Sequence, residues 1–493
     1  MLNTFDTFLL FPELFLLIAS LILLVFGVLI SNQRIKGFPL IDLTLGKLTL
    51  FASFMTILLI LNNPFITISL MNDLFIHDKL SIGIKFILVN VFCLILLLSL
   101  FYLKKEKINI FEYWTLLLLS LLAMFCLVSS CDLLALYLCI EFQSLIFYIL
   151  ASLRRTSEFS TEAGLKYFIL GAFSSAILLF GFSLIYGVTG LTHLRDFNIL
   201  FASNFYVYTN VFNALSLGLL CVLIALLFKL SASPFHIWSP DVYEGTLTNV
   251  TAFFSLMPKI VITSVFIRIF FYGFQTFSLL WQKILVFSIV LSLIFGTFGA
   301  LKQSKWKRFL AFSSISHIGF ILIGLLVNTY NGNEACFFYI IIYIIMTLNM
   351  FSIIIGLRQK IYKNDYQNRF FSGFSMLIKL NPAVSLSLVI CLFSMGGIPP
   401  LVGFLAKMLI LLESVNANLV TLTLFTILIS CISCFYYLRI VKSICFEETT
   451  TWPVYLTIEK SLSYICFSTS FFLLYLGLDP SLVYTFIQFF ISY

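Results

Sequence analysis

Residues 228–245 read FKLSASPFHIWSPDVYEG, and this stretch constrains the fold more than any other. It ends an apolar run from 210 to 243, so Lys229 and Pro234 both fall inside a segment long enough to cross a membrane. A proline inside a helix removes one backbone hydrogen bond and clashes with the carbonyl four residues earlier. Because the freed polar groups cannot face lipid, the helix must break where it borders protein or water. The stretch therefore predicts a broken membrane helix with a lysine beside the break.

A second stretch of the same kind lies further along the chain. Residues 396–407 read GGIPPLVGFLAK and belong to an apolar run from 380 to 413. Its helix-breaking residues, and the lysine that follows them, are Gly396, Gly397, Pro399, Pro400 and Lys407. The combination of a break and a nearby lysine therefore occurs twice.

The composition excludes a soluble globular enzyme. Of the 493 residues, 61% are hydrophobic and 10% are charged, whereas an average soluble domain carries roughly 25% charged residues. The apolar runs are separated by Asn, Gly, Pro or charged residues, as expected of loops. The sequence predicts an all-α membrane protein with about fourteen spans, at approximately 8–30, 43–61, 80–103, 111–130, 132–153, 162–189, 210–243, 247–273, 279–301, 309–328, 334–357, 380–413, 419–446 and 460–491.

The basic residues alternate between loops. The chain has 29 Lys and Arg against 21 Asp and Glu, a net charge of +8. Of the basic residues, 20 fall in odd-numbered loops and five in even-numbered loops or their flanks, namely Lys79, Lys85, Arg195, Arg268 and Lys283. By the positive-inside rule, the odd loops face the side of synthesis and both termini face the opposite side. The excess charge is thus interpreted as topology and not as a nucleic-acid surface.

Four lysines and one acid fall inside the spans instead: Lys166, Lys229, Lys259, Lys407 and Glu141. A charge at the bilayer centre costs roughly 2.5–3.5 kcal/mol even on lenient scales, so we expect these groups to face partners or water inside the bundle. For any single residue, a static ion pair that orients helices is an alternative. The three central lysines, however, cannot all be paired with one glutamate. An unpaired buried lysine whose proton affinity depends on a nearby carboxylate has the property that a proton relay requires.

Two of the residues within the spans admit two interpretations each, and for two others we prefer one interpretation. His317, at the centre of its span, suits either a relay or an ordinary buried histidine. Lys166 lies about one turn inside its helix, so it either extends its ammonium group to the basic side or acts within the membrane. We expect Glu13 to be interfacial and His236 to cap the break at Pro234.

The broken spans are the seventh and the twelfth. Because five is odd, matching segments in spans 4–8 and 9–13 run in opposite directions, which is the arrangement of many transporters. In this inverted repeat Glu141 corresponds to His317, and Lys229 to Lys407. The predicted units are three N-terminal helices (1–103), a first repeat (111–273), a second repeat (279–446) and a C-terminal helix with its tail (447–493).

Motifs for cofactors are absent from the sequence. The one close cysteine pair, Cys431 and Cys434, lies in an apolar helix without a second pair, so we expect it to pack. Neither a phosphate-binding loop nor a dinucleotide fingerprint is present. A bis-histidine haem would have to use His236 and His317, which we do not favour. We expect the chain to bind no cofactor or metal.

Five motifs, in order, resemble the antiporter-like membrane subunits of respiratory complex I, in particular the family of NADH dehydrogenase subunit 2. They extend from about the fourth to the thirteenth span, while the first three spans and the tail match only in hydropathy and count. The motifs are LYLCIEFQSL at 136–145, STEAGLKYFILGAFSS at 160–175, FKLSASPFHIWSPDVYEG at 228–245, KRFLAFSSISHIGF at 307–320 and GGIPPLVGFLAK at 396–407.

The resemblance implies roles for the charged residues within the spans. Glu141 resembles the glutamate that modulates the proton affinity of the lysine at Lys229. Lys259 resembles the connecting lysine of the eighth helix, with His317 near the centre of a hydrated axis and Lys407 as the lysine of the twelfth helix. Lys166 matches a sixth-helix lysine whose role is less settled.

The resemblance also implies a location, an orientation in the membrane and partners. It predicts a proton-translocating subunit of the mitochondrial inner membrane, with odd loops in the matrix and both termini on the intermembrane-space side. NADH, FMN, iron–sulfur clusters and ubiquinone would be handled by other subunits. Partners would be other membrane-arm subunits, neighbouring antiporter-like subunits among them, and phospholipids, with no nucleic acid. The alternatives are an Mrp-type cation/proton antiporter subunit and a structural membrane scaffold with static ion pairs.

Overall fold

The computed structural model describes residues 4–31, 41–202, 209–361, 364–447 and 454–491, and these residues are predominantly helical. Within them, thirteen helices are long and apolar enough to cross a membrane. Two shorter helices, Pro382–Gly396 and Val402–Asn416, lie on either side of the second predicted break. The predicted fold class is therefore confirmed. The basic residues Arg34, Lys36 and Lys363 of the predicted odd loops lie outside the described residues.

The N-terminal unit consists of three spans and a small hairpin. Asp78 caps the third span through a reciprocal pair of bonds with Ser81, the arrangement known as a capping box. The elements are α1 (Thr4–Leu9), α2 (Phe11–Ser31), α3 (Ile41–Leu61), the antiparallel strands β1 (Ile68–Leu70) and β2 (Phe75–His77), and α4 (Lys79–Glu106).

The next five spans contain the first break. Their elements are α5 (Glu112–Ser129), α6 (Leu133–Ala151), α7 (Glu158–Thr189), the short α8 (Leu194–Ala202), α9 (Thr209–Leu230), α10 (Trp238–Gly245) and α11 (Thr248–Phe266). Helix α11 continues as a π-helix over Ile267–Gly273.

The following five spans contain the second break and a hairpin in the loop before it. A 3-10 turn (Gln275–Phe277) leads into α12 (Ser278–Leu301), α13 (Trp306–Val327) and α14 (Tyr330–Gly356). After strands β3 (Arg358–Ile361) and β4 (Asn364–Gln367) and a 3-10 turn (Phe371–Phe374) come α15 (Leu377–Leu380), α16 (Pro382–Gly396), α17 (Val402–Asn416) and α18 (Val420–Cys445). The described chain ends with α19 (Lys460–Leu478) and α20 (Ser481–Ile491).

The apolar run at 460–491 is therefore not one helix. It is divided at Asp479 and Pro480, because proline lacks the backbone donor that a continuous helix would need. The Asp479 carboxylate accepts a hydrogen bond from the backbone of Ser481 and so caps the second part. The hairpins β1–β2 and β3–β4 were not predicted either, since both lie in loops without a clear alternating pattern.

Three spans form the centre of the bundle. Almost all residues of the spans that contain α11, α13 and α14 are buried inside the protein. Helix α11 packs against α4, α9 and α14, and α13 packs against α12, α14 and α17. Side chains on these central helices are therefore shielded from lipid.

The loops gather on two faces, as the alternation of basic residues predicts. On one face, Arg308 near loop 9 bonds Glu244 at the end of α10, and Arg358 in loop 11 lies 2.9 Å from Glu106 near loop 3. On the other face, the Cys131 amide in loop 4 donates to the Leu74 carbonyl in loop 2. These contacts group odd loops with odd loops and even loops with even loops.

A buried ion pair joins the first and third spans. Lys85 Nζ of α4 lies 2.5 Å from Glu13 Oε1 of α2, and the two residues are only 5% and 6% exposed. The ammonium group also lies 6.0 Å from the centre of the Phe125 ring. We expected Lys85 to flank a loop and Glu13 to lie at the interface. Because α4 begins at Lys79, Lys85 is instead about 9 Å inside the helix, where a charge needs a counter-ion.

A second buried pair connects this unit to the centre of the bundle. Arg268, in the π-helical segment after α11, donates to both carboxylate oxygens of Asp78 at 2.8 and 3.0 Å and to Cys131 Sγ. Burial alone would raise the pKa of Asp78, but the attraction of Arg268 and the hydrogen bonds from Ser81 lower it below its ordinary value. Arg268 was also expected at a loop flank and is in fact 4% exposed.

Replacing Lys85 with Met should destabilise the protein, because Glu13 would be left buried without its counter-ion. Removal of one partner of a buried pair typically costs about 3–5 kcal/mol. We expect a lower yield of folded protein and a lower melting temperature in detergent. The double variant Glu13→Leu/Lys85→Met should recover part of the loss, and Lys105→Met, on the exposed end of the same helix, should be near neutral. Equal stability of Lys85→Met and Lys105→Met would contradict a stabilising pair.

Candidate functional site

The first break places Lys229 at the end of a half-helix. Helix α9 ends at Leu230, Ser231 adopts a left-handed backbone with φ of 61°, and Pro234 lies between α9 and α10. The indole of Trp238 donates to the Phe228 carbonyl at 3.0 Å and so connects α10 to the last turn of α9. Within the described residues, the buried ammonium nitrogen of Lys229 has no hydrogen-bond partner.

The second break also brings a lysine to the end of a half-helix, but here the lysine, Lys407, follows the break in the chain. Helix α16 ends at Gly396, and Lys407 lies on α17, beyond Gly397, Pro399 and Pro400. Its side chain folds back, so that Nζ donates to the carbonyls of Met395 at 3.0 Å and Gly396 at 2.8 Å. Both Lys229 and Lys407 thus lie at the C-terminal end of the first half-helix, where the helix dipole favours a positive charge.

Two glycines make this second arrangement possible. Gly397 has a φ of 81°, and a Cβ there would lie 2.9 Å from Lys407 Cδ and 3.1 Å from its Nζ. At Gly403 a Cβ would lie 1.8 Å from the Ser394 carbonyl oxygen, so α16 and α17 approach closely across the break. The glycines therefore leave the space that Lys407 occupies.

Lys259 lies at the centre of the bundle on α11. Its Nζ donates to the Tyr343 hydroxyl at 2.8 Å and lies 4.8 Å from the centre of that ring. Pro258 removes the backbone donor that would reach the Phe254 carbonyl, and the Tyr243 hydroxyl donates to this oxygen instead, at 3.3 Å. The lysine is buried and has a neutral hydroxyl as its partner.

His317 occupies the space between Lys259 and Lys407. Its Nδ1 is 2.6 Å from the Tyr339 hydroxyl, and its Nε2 is 3.3 Å from the Tyr437 hydroxyl. The imidazole is within electrostatic range of both lysines. Helices α11, α13, α14, α17 and α18 thus contribute to one buried polar row.

The tyrosines of this row are functional candidates that the sequence analysis does not single out. The chain has 22 tyrosines, and nothing in their types distinguishes these from the rest. The one available signal is the spacing of Tyr339 and Tyr343, which are four residues apart and so share a face of α14.

Glu141 lies at the edge of the bundle and not inside it, contrary to expectation. It is half-buried on α6, in a row with Leu134, Leu138, Leu145 and Ile149, which are 52% to 65% exposed. Its carboxylate accepts a hydrogen bond from Ser144 at 3.3 Å. Glu141 attracts Lys229 electrostatically, although no direct ion pair joins the two within the described residues.

Lys166 belongs to a separate, solvent-facing group. Its Nζ lies 2.7 Å from Glu162 and 2.9 Å from Asp241, and its side chain is 42% exposed. With Glu244 and Arg308 these residues line a crevice of about 190 Å³ at the face of the odd loops. The structure therefore favours the expectation that Lys166 extends to the basic side.

Two other expectations concern histidine and metals. The His236 ring stacks on Phe295, with 5.4 Å between the ring centres, and its Nδ1 has no partner among the described residues. Across the described chain, no group of three or more His, Cys, Asp or Glu residues is arranged to hold a metal ion.

The fold and this row define a class: a polytopic helical membrane protein with two interrupted spans and protonatable groups in its core. The sequence pattern described as "NADH:quinone oxidoreductase/Mrp antiporter, TM" matches residues 130–433. The NADH-ubiquinone oxidoreductase chain 2 of Marchantia polymorpha is 41% identical over 481 residues, which cover 97% of this chain and 96% of that protein.

Two solved structures share the fold. A chain of respiratory complex I from Thermus thermophilus with bound aureothin has a TM-score of 0.78 at 24% identity, covering 96% of this chain and 98% of its own. A chain of the Mrp complex from Dietzia sp. DQ12-45-1b has a TM-score of 0.79 at 22% identity, covering 99% and 97%.

The chain therefore belongs to the family of NADH:quinone oxidoreductase and Mrp antiporter membrane subunits, and within it to the complex I branch that contains NADH-ubiquinone oxidoreductase chain 2.

Substituting Gly397 with Ala should destabilise the second break. A side chain in the left-handed region costs about 1–2 kcal/mol, and the added Cβ would also displace Lys407. Gly396→Ala is the matched control, because its Cβ would make only ordinary contacts, the nearest at 3.4 Å from Cys434 Sγ. Melting temperatures in detergent compare the two, and equal values would refute the role assigned to Gly397.

Proposed function

We propose that this chain is a proton-translocating subunit of the membrane arm of NADH:ubiquinone oxidoreductase in the mitochondrial inner membrane. The single observation that carries the proposal is the buried Lys229 ammonium group, which lacks a hydrogen-bond partner within the described residues while Glu141 attracts it from the edge of the bundle. The row of Lys259, His317 and Lys407 offers protonatable groups beyond it.

The charge on Lys229 depends on Glu141. A buried ammonium group without a bonded counter-ion holds its proton weakly, and a nearby carboxylate strengthens the hold. If Glu141 moves or is neutralised, Lys229 releases its proton towards Lys259, His317 and Lys407. Moving one charge against 100 mV costs about 2.3 kcal/mol, which is less than the effect that burial and neighbouring charges can have on a lysine.

The energy for this movement comes from other subunits. Quinone reduction elsewhere in the complex shifts charge along the membrane arm, and the effect reaches Glu141. NADH, FMN, iron–sulfur clusters and ubiquinone bind to those subunits, and this chain contributes no redox centre to the enzyme. Lys166 contributes to the charged crevice at the odd-loop face, at the edge of the path and not at its centre.

The position of Glu141 also indicates a partner. A carboxylate on an exposed row of leucines would face lipid in an isolated subunit, at a cost of roughly 2.5–3.5 kcal/mol at the bilayer centre. A neighbouring membrane-arm subunit that covers the outer face of α6 removes this cost. Such a neighbour, an antiporter-like subunit or another of the arm, can then alter the charge at Glu141 directly.

We also propose an orientation of the chain in the membrane and an internal inverted repeat. By the positive-inside rule the odd loops lie in the matrix and both termini on the intermembrane-space side. Residues 111–273 and 279–446 form the inverted repeats, each with one broken helix. Lys229 lies at the end of α9, and the ammonium group of Lys407 lies at the end of α16. This correspondence supports the division into two repeats.

An Mrp-type cation/proton antiporter subunit is the second candidate, favoured by the Mrp chain of the same fold. A blue-native gel distinguishes the two, because a complex I subunit migrates with NADH dehydrogenase activity. The 41% identity to a chain 2 along nearly the whole length favours complex I.

Lys229→Met should leave assembly largely intact and reduce proton pumping and coupled NADH oxidation. We expect a loss of about tenfold or more, equivalent to roughly 1.4 kcal/mol in the barrier, because methionine fills the space but carries no proton. Pumping is measured by the quenching of a pH-sensitive dye in sealed membrane vesicles. Lys283→Met, on the exposed side of α12, is the control, and normal pumping by Lys229→Met would overturn the assignment.

Glu141→Gln tests the coupling to Lys229 against a purely structural role. It keeps the hydrogen-bonding shape but removes the charge, so we expect normal assembly with pumping reduced several-fold. A static scaffold predicts the reverse, with less assembled complex and normal turnover per complex. Glu158→Gln, exposed at the start of α7, is the matched control.

A further inference from the structure

Tyrosine hydroxyls contact two of the protonatable groups in the buried row. Lys259 Nζ donates to the Tyr343 hydroxyl at 2.8 Å. The two ring nitrogens of His317 lie 2.6 and 3.3 Å from the hydroxyls of Tyr339 and Tyr437. These tyrosines are at most 2% exposed and come from two helices, α14 and α18.

The arrangement at His317 has a chemical consequence. A neutral imidazole has one N–H donor and one bare nitrogen that accepts. With a hydroxyl at each nitrogen, one phenol must donate to the ring while the other accepts from it. The ring is thereby connected at both ends, and it cannot rotate without breaking both hydrogen bonds.

We propose that Tyr339 and Tyr437 are proton-relay residues on either side of His317, and that Tyr343 is a positioning residue for the ammonium group of Lys259. The inference rests on the proposed function and adds residues to its path. When a proton arrives at Tyr437, the Tyr437 O–H bond breaks as an N–H bond forms at His317 Nε2. The arriving proton then replaces the one that Tyr437 has donated. The Nδ1–H bond breaks as its proton moves to the Tyr339 oxygen, which releases its own proton onward.

The number of protons and the charge are balanced in this step. One proton enters and one leaves, both tyrosines end neutral, and His317 ends as the other neutral tautomer. No charge is stored on the imidazole, which suits a ring between two lysines because a cation there would be repelled by both. A second proton in the same direction requires the ring to rotate or the tautomer to be reset, so the row passes one proton for each reset.

Tyr343 has a different role at Lys259. Its hydroxyl accepts from Nζ at 2.8 Å and donates to the Ser255 carbonyl at 3.4 Å. The Tyr343 ring lies 5.4 Å from that of His317, between centres. The phenol therefore fixes the position of the Lys259 ammonium group while its ring lies beside the histidine.

The test uses phenylalanine variants in the intact complex. Tyr339→Phe and Tyr437→Phe remove one hydroxyl each and keep the ring, so we expect normal assembly and pumping reduced about tenfold or more, within the range that positioned proton-transfer groups contribute. Tyr167→Phe is the matched control, since this buried tyrosine on α7 stacks on Trp238 and has no hydrogen bond to His317 or Lys259 within the described residues. It should pump normally.

Two further measurements separate a relay from a structural effect. The ratio of pumping rates in H₂O and D₂O should rise in Tyr339→Phe and Tyr437→Phe if proton transfer becomes limiting. In a His317→Ala background, removing the Tyr339 hydroxyl should add no further loss, because the group that it serves is gone. The second measurement applies even where a single variant assembles poorly.

The outcomes distinguish this inference from the proposed function. If Lys229→Met stops pumping but both tyrosine variants pump at the wild-type rate, the relay is wrong and the proposed function stands. If Lys229→Met and the tyrosine variants all pump normally, the proposed function fails and the relay fails with it. Loss in the tyrosine variants, with an unaffected Tyr167→Phe, supports the relay.

Discussion

The structure depends on one constraint: a charge inside a membrane protein must find a counter-ion, a helix end or a polar neighbour. Four buried cations of the described residues meet the constraint in three ways. Lys85 pairs with Glu13, Arg268 with Asp78, and Lys407 with the carbonyls at the end of α16. Lys229, by contrast, has only the distant attraction of Glu141 and the end of its own half-helix. The charges with a direct partner hold helices together, and Lys229 is the group that we propose to exchange a proton.

The broken helices follow from the same constraint. An unbroken helix keeps its carbonyls bonded internally, so it has none to offer a lysine in its middle. Ending α9 and α16 within the membrane exposes such carbonyls and aligns a helix dipole with each cation. The two solutions differ in sequence, since Lys229 precedes its break whereas Lys407 follows its break and folds back over Gly397. Each lysine thus lies at the C-terminal end of a half-helix, one from before the break and the other from beyond it.

The N-terminal unit has its own polar anchors. Glu13–Lys85 fastens α2 to α4, and Arg268–Asp78 fastens α4 to the end of α11. Helix α4 also packs directly against α11, the helix that carries Lys259. Its position relative to the central row is therefore set by buried ion pairs as well as by apolar packing.

The sequence by itself determined the helical membrane class, the grouping of the loops, the two breaks and the lysines beside them, because hydropathy, proline chemistry and charge placement act locally along the chain. Only the tertiary structure decided which charges meet. Hydropathy does not reveal which face of a helix a residue occupies, so Glu141 was expected inside the bundle and lies at its edge, and Lys85 and Arg268 were expected near loops and lie in buried pairs. Tyr339, Tyr343 and Tyr437 are unremarkable in an aromatic-rich sequence. They become candidates only because packing of α11, α13, α14 and α18 brings their hydroxyls to Lys259 and His317.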